Sequence, residues 1–174
     1  MQIEFRRAVP SDMGRLYPLE KEAFPDAAWP ADVFEEALHD PHNEFTMALR
    51  GDRLVGYSLV DHSVPEIVKV NSLAVAKDTR GQKIGEQLLL HSLEDGQAHG
   101  CLKATLEVEK GNVPAEKLYA KYGFVPTGIL SEYYGPGRDG TEMELKDLKS
   151  APLQTRRAEL LAALNSFPSK TFTA

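Results

Sequence analysis

The chain has 174 residues, of which 42% are hydrophobic, and this length and apolar share are typical of one globular domain with a sizeable core. Its formal net charge of -6, from 26 acidic and 20 basic residues, argues against nucleic acid or an anionic membrane as the main partner. The single cysteine, Cys101, excludes an internal disulfide and a thiolate metal pair, and it predicts a small core residue in a reducing compartment. Because the N-terminal segment lacks the apolar stretch of a signal peptide and no run approaches a membrane span, we expect a cytoplasmic protein.

The first half of the chain predicts strands, short helices and a hairpin. Ser11 caps a helix that Pro18 interrupts, and Pro41 ends the next helix. The predicted elements are, in chain order, a strand at 3–9, a helix at 11–24, a helix at 31–40, a hairpin at 44–62 turning at "RGDR", and a strand at 66–75.

The second half alternates more regularly between helix and strand. A helix begins at Ile84 and ends at Gly100, a strand covers 103–110, and a helix capped by Asn112 ends at Gly123. Two final strands, "FVPTGILSEYY" and "TEMELKDL", are joined by "GPGRDG". The two β-helix-β units around 66–130 predict neighbouring parallel strands.

The C-terminal segment predicts an added helix on a single domain. We expect one domain at 1–149 and a helical extension at 150–174, where "PLQTRRAELLAAL" is amphipathic. Its leucines are expected to cover an apolar surface on the chain's own domain or across a dimer, so that the protein is a monomer or a homodimer. These leucines are Leu153, Leu160, Leu161 and Leu164.

The corner "LAVAKDTRGQKIGEQLL" at 73–89 places glycines between a strand and the start of a helix. A helix N-terminus offers unpaired N–H groups and partial positive charge, so this corner favours an anion such as phosphate. An ordinary strand-to-helix loop is the alternative interpretation. The segment matches neither a Walker P-loop nor a G-x-G-x-x-G dinucleotide motif.

Together with "LEVEKGNVPAEKLYAKYGF", this corner resembles the GCN5-related N-acetyltransferase (GNAT) family. The family's acyl-CoA loop reads [Q/R]-x-x-G-x-[G/A], and its later helix reads N-x-x-A-x-x-L-Y-x-x-x-G-F. One departure is Lys83, which stands where the family has a central glycine, and it restricts the backbone there. The matching residues are Arg80 and Gly85 in the loop, and Asn112, Ala115, Leu118, Tyr119, Gly123 and Phe124 in the helix.

Within this family the chain is most similar to the ribosomal-protein N-terminal alanine acetyltransferases. Phe24, Pro25 and Trp29 carry this finer resemblance, together with "LEV" at 106–108 and "YY" at 133–134. The spacing from Phe-Pro to Trp is longer here than in that pattern.

The resemblance implies an α+β fold, with a mixed central sheet of about seven strands flanked by helices and an added C-terminal helix. It implies acetyl-CoA as co-substrate and no metal. The backbone at the end of the strand before the loop is expected to meet the thioester carbonyl. The residues implied in acetyl-CoA binding are Leu73, Ala74, Val75, Arg80, Gly81, Gln82, Lys83, Ile84, Gly85, Asn112, Ala115 and Tyr119.

Acetyl transfer to an amine requires a base that removes a proton from the amine, because an α-amine has a pKa near ~8. The resemblance makes Glu107 the first candidate, and Glu66, His62 and a water are alternatives. Glu107 also fits the solvent-facing side of an amphipathic strand. Tyr119 is the candidate acid for the leaving thiolate, and packing within its helix is its alternative role.

The acceptor is expected to be the N-terminal α-amine of a protein, held by Trp29, Glu66, Tyr133 and Tyr134. Acidic residues near the mouth keep a small amine, such as a polyamine, an amino acid or an antibiotic, as an alternative. A non-catalytic acyl-CoA-binding module is the third hypothesis, and Lys83 is its sequence support.

Overall fold

A computed structural model describes residues 3–165 of the chain. Seven strands and five α-helices follow one another, and short 3₁₀ turns at Pro10–Asp12 and Lys77–Thr79 precede α1 and α3. The elements are β1 (Glu4–Arg7), α1 (Met13–Ala23), α2 (Ala31–His39), β2 (Asn43–Arg50), β3 (Arg53–Asp61), β4 (Ile67–Val75), α3 (Ile84–Ala98), β5 (Lys103–Glu109), α4 (Val113–Lys121), β6 (Val125–Leu130), β7 (Gly140–Leu145) and α5 (Ala151–Asn165).

The strands form one mixed sheet in the order β1-β2-β3-β4-β5-β7-β6. The α+β class and the seven-stranded mixed sheet are confirmed. The pair β4–β5 is parallel, as expected for strands joined through α3, and the other neighbours are antiparallel. The second expected parallel neighbour is wrong, because β7 pairs with both β5 and β6 and separates them.

Residues on opposite faces of the sheet pack against different helices. On one face, Phe34 of α2 joins Met47, Tyr57 and Ala74 in a cluster that includes α1. On the other, Val68 and its neighbours pack with α3, α4 and α5. Buried and partly exposed residues alternate along β4 and β5. This alternation follows from the strand period of two, because successive side chains point to opposite faces of the sheet.

Helix α3 packs against β3 and β4 at two glycines that leave no side chain in the contact. A Cβ on Gly96 would come within 2.5 Å of Cγ1 of Val68. A Cβ on Gly56 of β3 would come within 2.9 Å of both the Ala74 carbonyl oxygen and Cδ1 of Leu88. The packing of α3 on the sheet therefore depends on glycine at both positions.

Two local expectations need correction. Helix α1 continues through Pro18 instead of being interrupted, since Pro18 lies on the exposed side, where the carbonyl freed by its missing N–H can face water. Strand β6 ends at Leu130, so Tyr133 and Tyr134 lie in the loop before β7 and not in a strand. There the backbone N–H of Tyr134 donates to the carbonyl of Arg138 at 3.0 Å.

Helix α5 covers the chain's own domain. Leu153 and Leu160 are 2% and 3% exposed and belong to the same core cluster as α3 and α4, and Leu164 packs against it. Leu161 is partly buried. Arg157 also forms an ion pair with Glu94 of α3 at 2.6 Å. The expected 150–174 extension is therefore a packed helix over Ala151–Asn165, and 166–174 lie outside the described residues.

Candidate active site

A cleft opens where the parallel strands β4 and β5 separate. Their pairing runs from Ile67 with Lys103 to Val70 with Leu106 and then stops. Beside this point the register between β3 and β4 shifts by one residue. Leu59 pairs with Ser72, whereas the next residue, Val60, pairs with Val70. Asn71 is left without a partner on β3 and forms a bulge in β4. The cleft encloses about 810 Å³ between residues 70–75 of β4 and 107–109 of β5.

The loop before α3 forms one wall of this cleft. Arg80, Gly81, Lys83 and Gly85 all line it, and the first N–H groups of α3 have no intrahelical partner because of helix geometry. Lys83 has φ 62° and ψ 13°, a left-handed conformation that glycine adopts without strain. The loop therefore takes the conformation expected of the family's glycine despite the lysine.

Other contacts anchor the loop. The Nε of Arg80 donates to the Val75 carbonyl at 3.2 Å and holds the loop to the end of β4. A Cβ on Gly85 would meet Val75 and Leu73 at ordinary van der Waals distances, which fits a position that accepts glycine or alanine. Gln82 differs from the expectation, because its side chain contacts Arg50 and the residue does not line the cleft.

Helix α4 forms the opposite wall. Its N-cap is Asn112, whose side chain accepts a hydrogen bond from the Ala115 N–H at 3.4 Å. Glu86 in the first turn of α3 accepts hydrogen bonds from Tyr122 at 2.9 Å and from Lys121 at 2.7 Å. The two walls are thus joined by side-chain contacts next to the N-terminus of α3.

The candidate base lies on the β5 edge of the cleft. Glu107 has a side chain that is 13% exposed, and its Oε1 lies 2.9 Å from Nζ of Lys69 on β4. Burial lowers the pKa of Lys69, but the hydrogen bond and charge of Glu107 raise it more, so that its net shift is upward. Lys69 therefore stays charged, and its ammonium group holds the Glu107 carboxyl group at the edge of the cleft.

The tyrosines are distributed between the cleft and its rim. Tyr119 and Tyr134 line the cleft, whereas Tyr133 is 51% exposed and packs over Gly140. Burial raises the pKa of Tyr119 to about 12, so its phenol keeps its proton at neutral pH. The pKa of Tyr134 is also raised, first by burial and then by the neighbouring charges, which include Glu107. Both phenols can donate a proton or a hydrogen bond into the cleft.

A buried carboxylate that sequence reasoning missed lies at the floor of the cleft. Glu20 is 1% exposed, and its Oε1 accepts a hydrogen bond from the Trp29 N–H at 3.0 Å. Its Oε2 accepts one from the Tyr57 hydroxyl, which lies 2.8 Å from the Ser72 hydroxyl. Burial raises the pKa of Glu20. The signal was an acidic residue on the apolar face of α1, four residues after Leu16.

The mouth of the cleft is crossed by an ion pair. Nε and Nη2 of Arg138 donate to the two carboxylate oxygens of Glu109 at 2.6 and 2.8 Å, and Nη1 lies 3.5 Å from the Asp26 carbonyl. The β6–β7 loop is thereby connected to β5 and to the α1–α2 connection, which also carries Trp29. Trp29 lines the cleft as expected.

Several candidate residues lie away from the cleft. Glu66 is exposed before β4, with φ 62°, and its carbonyl accepts from Leu102 and Lys103 at the closed end of the sheet. His62 contacts Asp95 near the end of α3. Neither lines the cleft.

Among the residues that the structure describes, no helix has the length and apolar character needed to cross a membrane. Cys101 is buried in the core, as expected.

Comparisons with known proteins agree with this architecture. The family described as Acetyltransferase (GNAT) matches residues 12–124. A putative [ribosomal protein bS18]-alanine N-acetyltransferase of Bacillus subtilis is 30% identical over 124 residues, which cover 71% of this chain and 81% of the relative. The N-alpha-acetyltransferase RimI of Mycobacterium tuberculosis is 34% identical over 128 residues, which cover 71% of this chain and 79% of the relative.

Solved structures share the fold. The ribosomal-protein-S18-alanine N-acetyltransferase of Escherichia coli superposes with a TM-score of 0.77 at 21% identity, covering 86% of this chain and 96% of its own. The PaiA N-acetyltransferase of Thermoplasma acidophilum, solved in complex with coenzyme A, has a TM-score of 0.70 at 19% identity and covers 84% of this chain and 99% of its own. The family match spans more than half of the chain, and the chain therefore belongs to the GNAT family and is an N-acetyltransferase.

Proposed function

We propose that this enzyme transfers the acetyl group of acetyl-CoA to the N-terminal α-amine of a protein, with an alanine-starting chain as the preferred acceptor. One observation carries the proposal: Glu107, Tyr119 and the N-terminus of α3 all line the cleft at which β4 and β5 separate. A proton acceptor, a proton donor and an anion site are thereby available to one reaction.

The cleft fits acetyl-CoA. The N-terminus of α3, with Gly81 and Gly85 leaving the backbone accessible, would hold the pyrophosphate, and Arg80 and Lys83 would add positive charge. The β4 residues 73–75 would lie along the pantetheine arm, and N–H groups near the Asn71 bulge would polarise the thioester carbonyl. Ala115 at the start of α4 would contact the opposite side of this arm.

Glu107 would accept the proton of the amine, directly or through a water, while the contact with Lys69 holds its carboxyl group in place. The neutral amine then attacks the thioester carbonyl, the carbon–sulfur bond breaks, and Tyr119 would protonate the departing thiolate. The position of Tyr119 in the cleft supports this role, and its phenol, with a pKa of about 12, carries a proton at neutral pH.

The proposed protein acceptor is supported by the mouth and by the relatives. Trp29 and Tyr134 line the cleft beside the ion pair of Arg138 with Glu109, and rigid aromatic side chains with polar tips suit an extended peptide end. Tyr133 lies at the rim, 51% exposed. Two relatives, at 30% and 34% identity, are named as a putative bS18-alanine N-acetyltransferase and an N-alpha-acetyltransferase.

The test is thiol release from acetyl-CoA with matched acceptors. Peptides that begin with Ala or Ser should be acetylated at the α-amine, and the same peptides with blocked N-termini should be inert. Robust turnover of free polyamines or amino acids, with no turnover of any unblocked peptide, would instead assign the enzyme to small amines. Binding of acetyl-CoA in calorimetry without any turnover would indicate a non-catalytic binding module.

Three expectations stay predictions. They are the cytoplasmic location, the monomeric or homodimeric state, and the division of the chain into a domain at 1–149 and an extension at 150–174.

A further inference from the structure

A second group of ligand-bearing side chains lies at the opposite end of α3 from the cleft. His62 directly follows β3, Asp95 lies in the last turn of α3, and His99 caps the end of that helix. One potential ligand atom from each residue lies within 4.8 Å of the other two. The proposed acetyl transfer uses none of the three.

We propose that His62, Asp95 and His99 bind a divalent transition-metal ion, with Zn²⁺ as the best match. Two imidazoles and one carboxylate form a donor set that Zn²⁺ commonly takes, and three protein ligands leave a fourth position for water. Asp95 and His99 are four residues apart and so lie on the same side of the helix end, while His62 reaches them from the sheet.

The contacts around Asp95 suit a bound cation. Its Oδ2 lies 2.5 Å from Nε2 of His62, and its Oδ1 lies 3.5 Å from Nδ1 of His99. The carboxylate sits near a helix C-terminus, where the helix dipole disfavours negative charge, so a cation at this point offsets an unfavourable position.

The two imidazole rings also suit metal binding. They stack with centroids 4.2 Å apart and an interplanar angle of 19°. Both rings present a nitrogen to the Asp95 carboxylate. The other ring nitrogen of His62, Nδ1, lies 3.7 Å from Sγ of the buried Cys101. Such a contact behind a ligating histidine orients the ring.

Binding requires small movements of the side chains. Zn–ligand bonds of about 2.0–2.2 Å in a tetrahedron place donor atoms roughly 3.3–3.6 Å apart. Nε2 of His62 and Oδ2 of Asp95, now 2.5 Å apart, would have to separate, and the ligand atom of His99, which lies within 4.8 Å of the others, would have to adjust to the same spacing. The His62 and Asp95 side chains are 11% and 18% exposed and are held by their neighbours, whereas His99 is 47% exposed. His99 can therefore turn inward, and its side of the group is the route by which the ion enters.

The experiment is a zinc titration of the full chain after treatment with a chelator. Isothermal calorimetry with ZnCl₂ at pH 7.5 should give one equivalent of saturable binding, and Zn²⁺ at about a hundredfold excess over its Kd should raise the Tm by roughly 5 °C. His99→Gln, which changes the most exposed ligand, should weaken binding at least about tenfold. The matched control is His42→Gln, because His42 is also exposed and lies 3.0 Å from an aspartate, Asp40, but forms no three-ligand group among residues 3–165.

The control should bind Zn²⁺ as the wild type does, and Cys101→Ser should weaken binding less than His99→Gln does. Three results would overturn the proposal: no saturable binding by the wild type, equal binding by the wild type and His99→Gln, or loss of binding in His42→Gln. These readouts do not involve acetyl transfer, so they stand whether or not the proposed function holds.

Discussion

The two ends of the β4–β5 pair differ in how their backbone groups are used. From Ile67 to Val70 the strands pair with 103–106, and Val68 packs directly against Gly96 of α3. Beyond these residues β4 pairs only with β3, and β5 only with β7. The first end is closed by strand pairing and helix packing, whereas the second end leaves one edge of each strand to the cleft.

The difference shows how one sheet combines rigidity with binding. Each strand at the open end keeps a partner on its outer side, so its position is fixed even though its inner edge is free. The polar side chains that line the cleft on these strands, such as Glu107 and Ser72, are found at the open end. Stability is therefore expected to depend most on the closed end, and turnover on the open end.

The largest expected effect concerns the open end. Glu107→Gln should lower kcat about 100-fold while the affinity for acetyl-CoA stays nearly unchanged, because a base acts in the transition state and not on the bound co-substrate. Steady-state kinetics and calorimetry with acetyl-CoA measure the two quantities. Glu66→Gln is the control, since Glu66 lies at the closed end, and it should leave kcat within about twofold of the wild type. A kcat that falls in Glu66→Gln but not in Glu107→Gln would reverse the assignment.

The next effect concerns the closed end. Gly96→Ala should lower the free energy of unfolding by about 1–3 kcal/mol, because the new methyl group would overlap Val68. Urea denaturation measures this change. Gly14→Ala in α1 is the matched control: a Cβ there meets nothing within 4 Å, and alanine should stabilise the helix by about 0.5–1 kcal/mol. Equal stability of the Gly96→Ala and wild-type proteins would show that α3 can shift away from β4.

A smaller effect is expected in the loop before α3. Lys83→Glu should weaken acetyl-CoA binding about tenfold more than Lys83→Gly, because it places a negative charge beside the expected phosphates. Lys83 has a left-handed backbone conformation, which costs about 1 kcal/mol for a residue with a side chain. Lys83→Gly removes this cost, so that any loss of stability in this variant should be small. Calorimetric titration of both variants gives the ratio. Identical Kd values for the two variants would show that the charge of Lys83 has no part in binding.

The smallest effect is a pH dependence at Glu20. Burial raises the pKa of Glu20 in the folded protein above the ordinary value of 4.5. The contribution of this group to stability is therefore fully present below pH 4.5, and it is lost as the pH rises through the folded-state pKa. Glu20→Gln cannot titrate. The free energy of unfolding of Glu20→Gln should therefore increase, relative to that of the wild type, as the pH rises from 4.5. Urea denaturation at several pH values gives the difference, and a difference that does not vary with pH would contradict the burial argument.

Local patterns predicted more of the fold than of the site. The α4 helix followed from the Asn112 cap and its apolar spacing, and β5 followed from its alternation, because such signals lie within a few residues. Glu66 and Glu107 were both plausible bases by sequence. Which of the two residues lines the cleft depends on the point at which β4 and β5 stop pairing. This point is set by contacts between segments that are distant in the sequence. The Lys69–Glu107 and Glu20–Trp29 contacts are likewise tertiary, so sequence spacing could not reveal them.

The position of β7 between β5 and β6 has a consequence for the order of folding. β5 and β6 have no direct contact as strands, and each gains this partner only when residues 140–145 are in place. During synthesis β1 to β4 can pair in sequence, but the β7-facing edge of β5 stays open until the last strand has emerged from the ribosome. Since Glu107 and Glu109 lie on β5 and line the cleft, completion of this side of the cleft is expected to be a late event. A nascent chain stopped before residue 140 would expose an unpaired strand edge prone to aggregation.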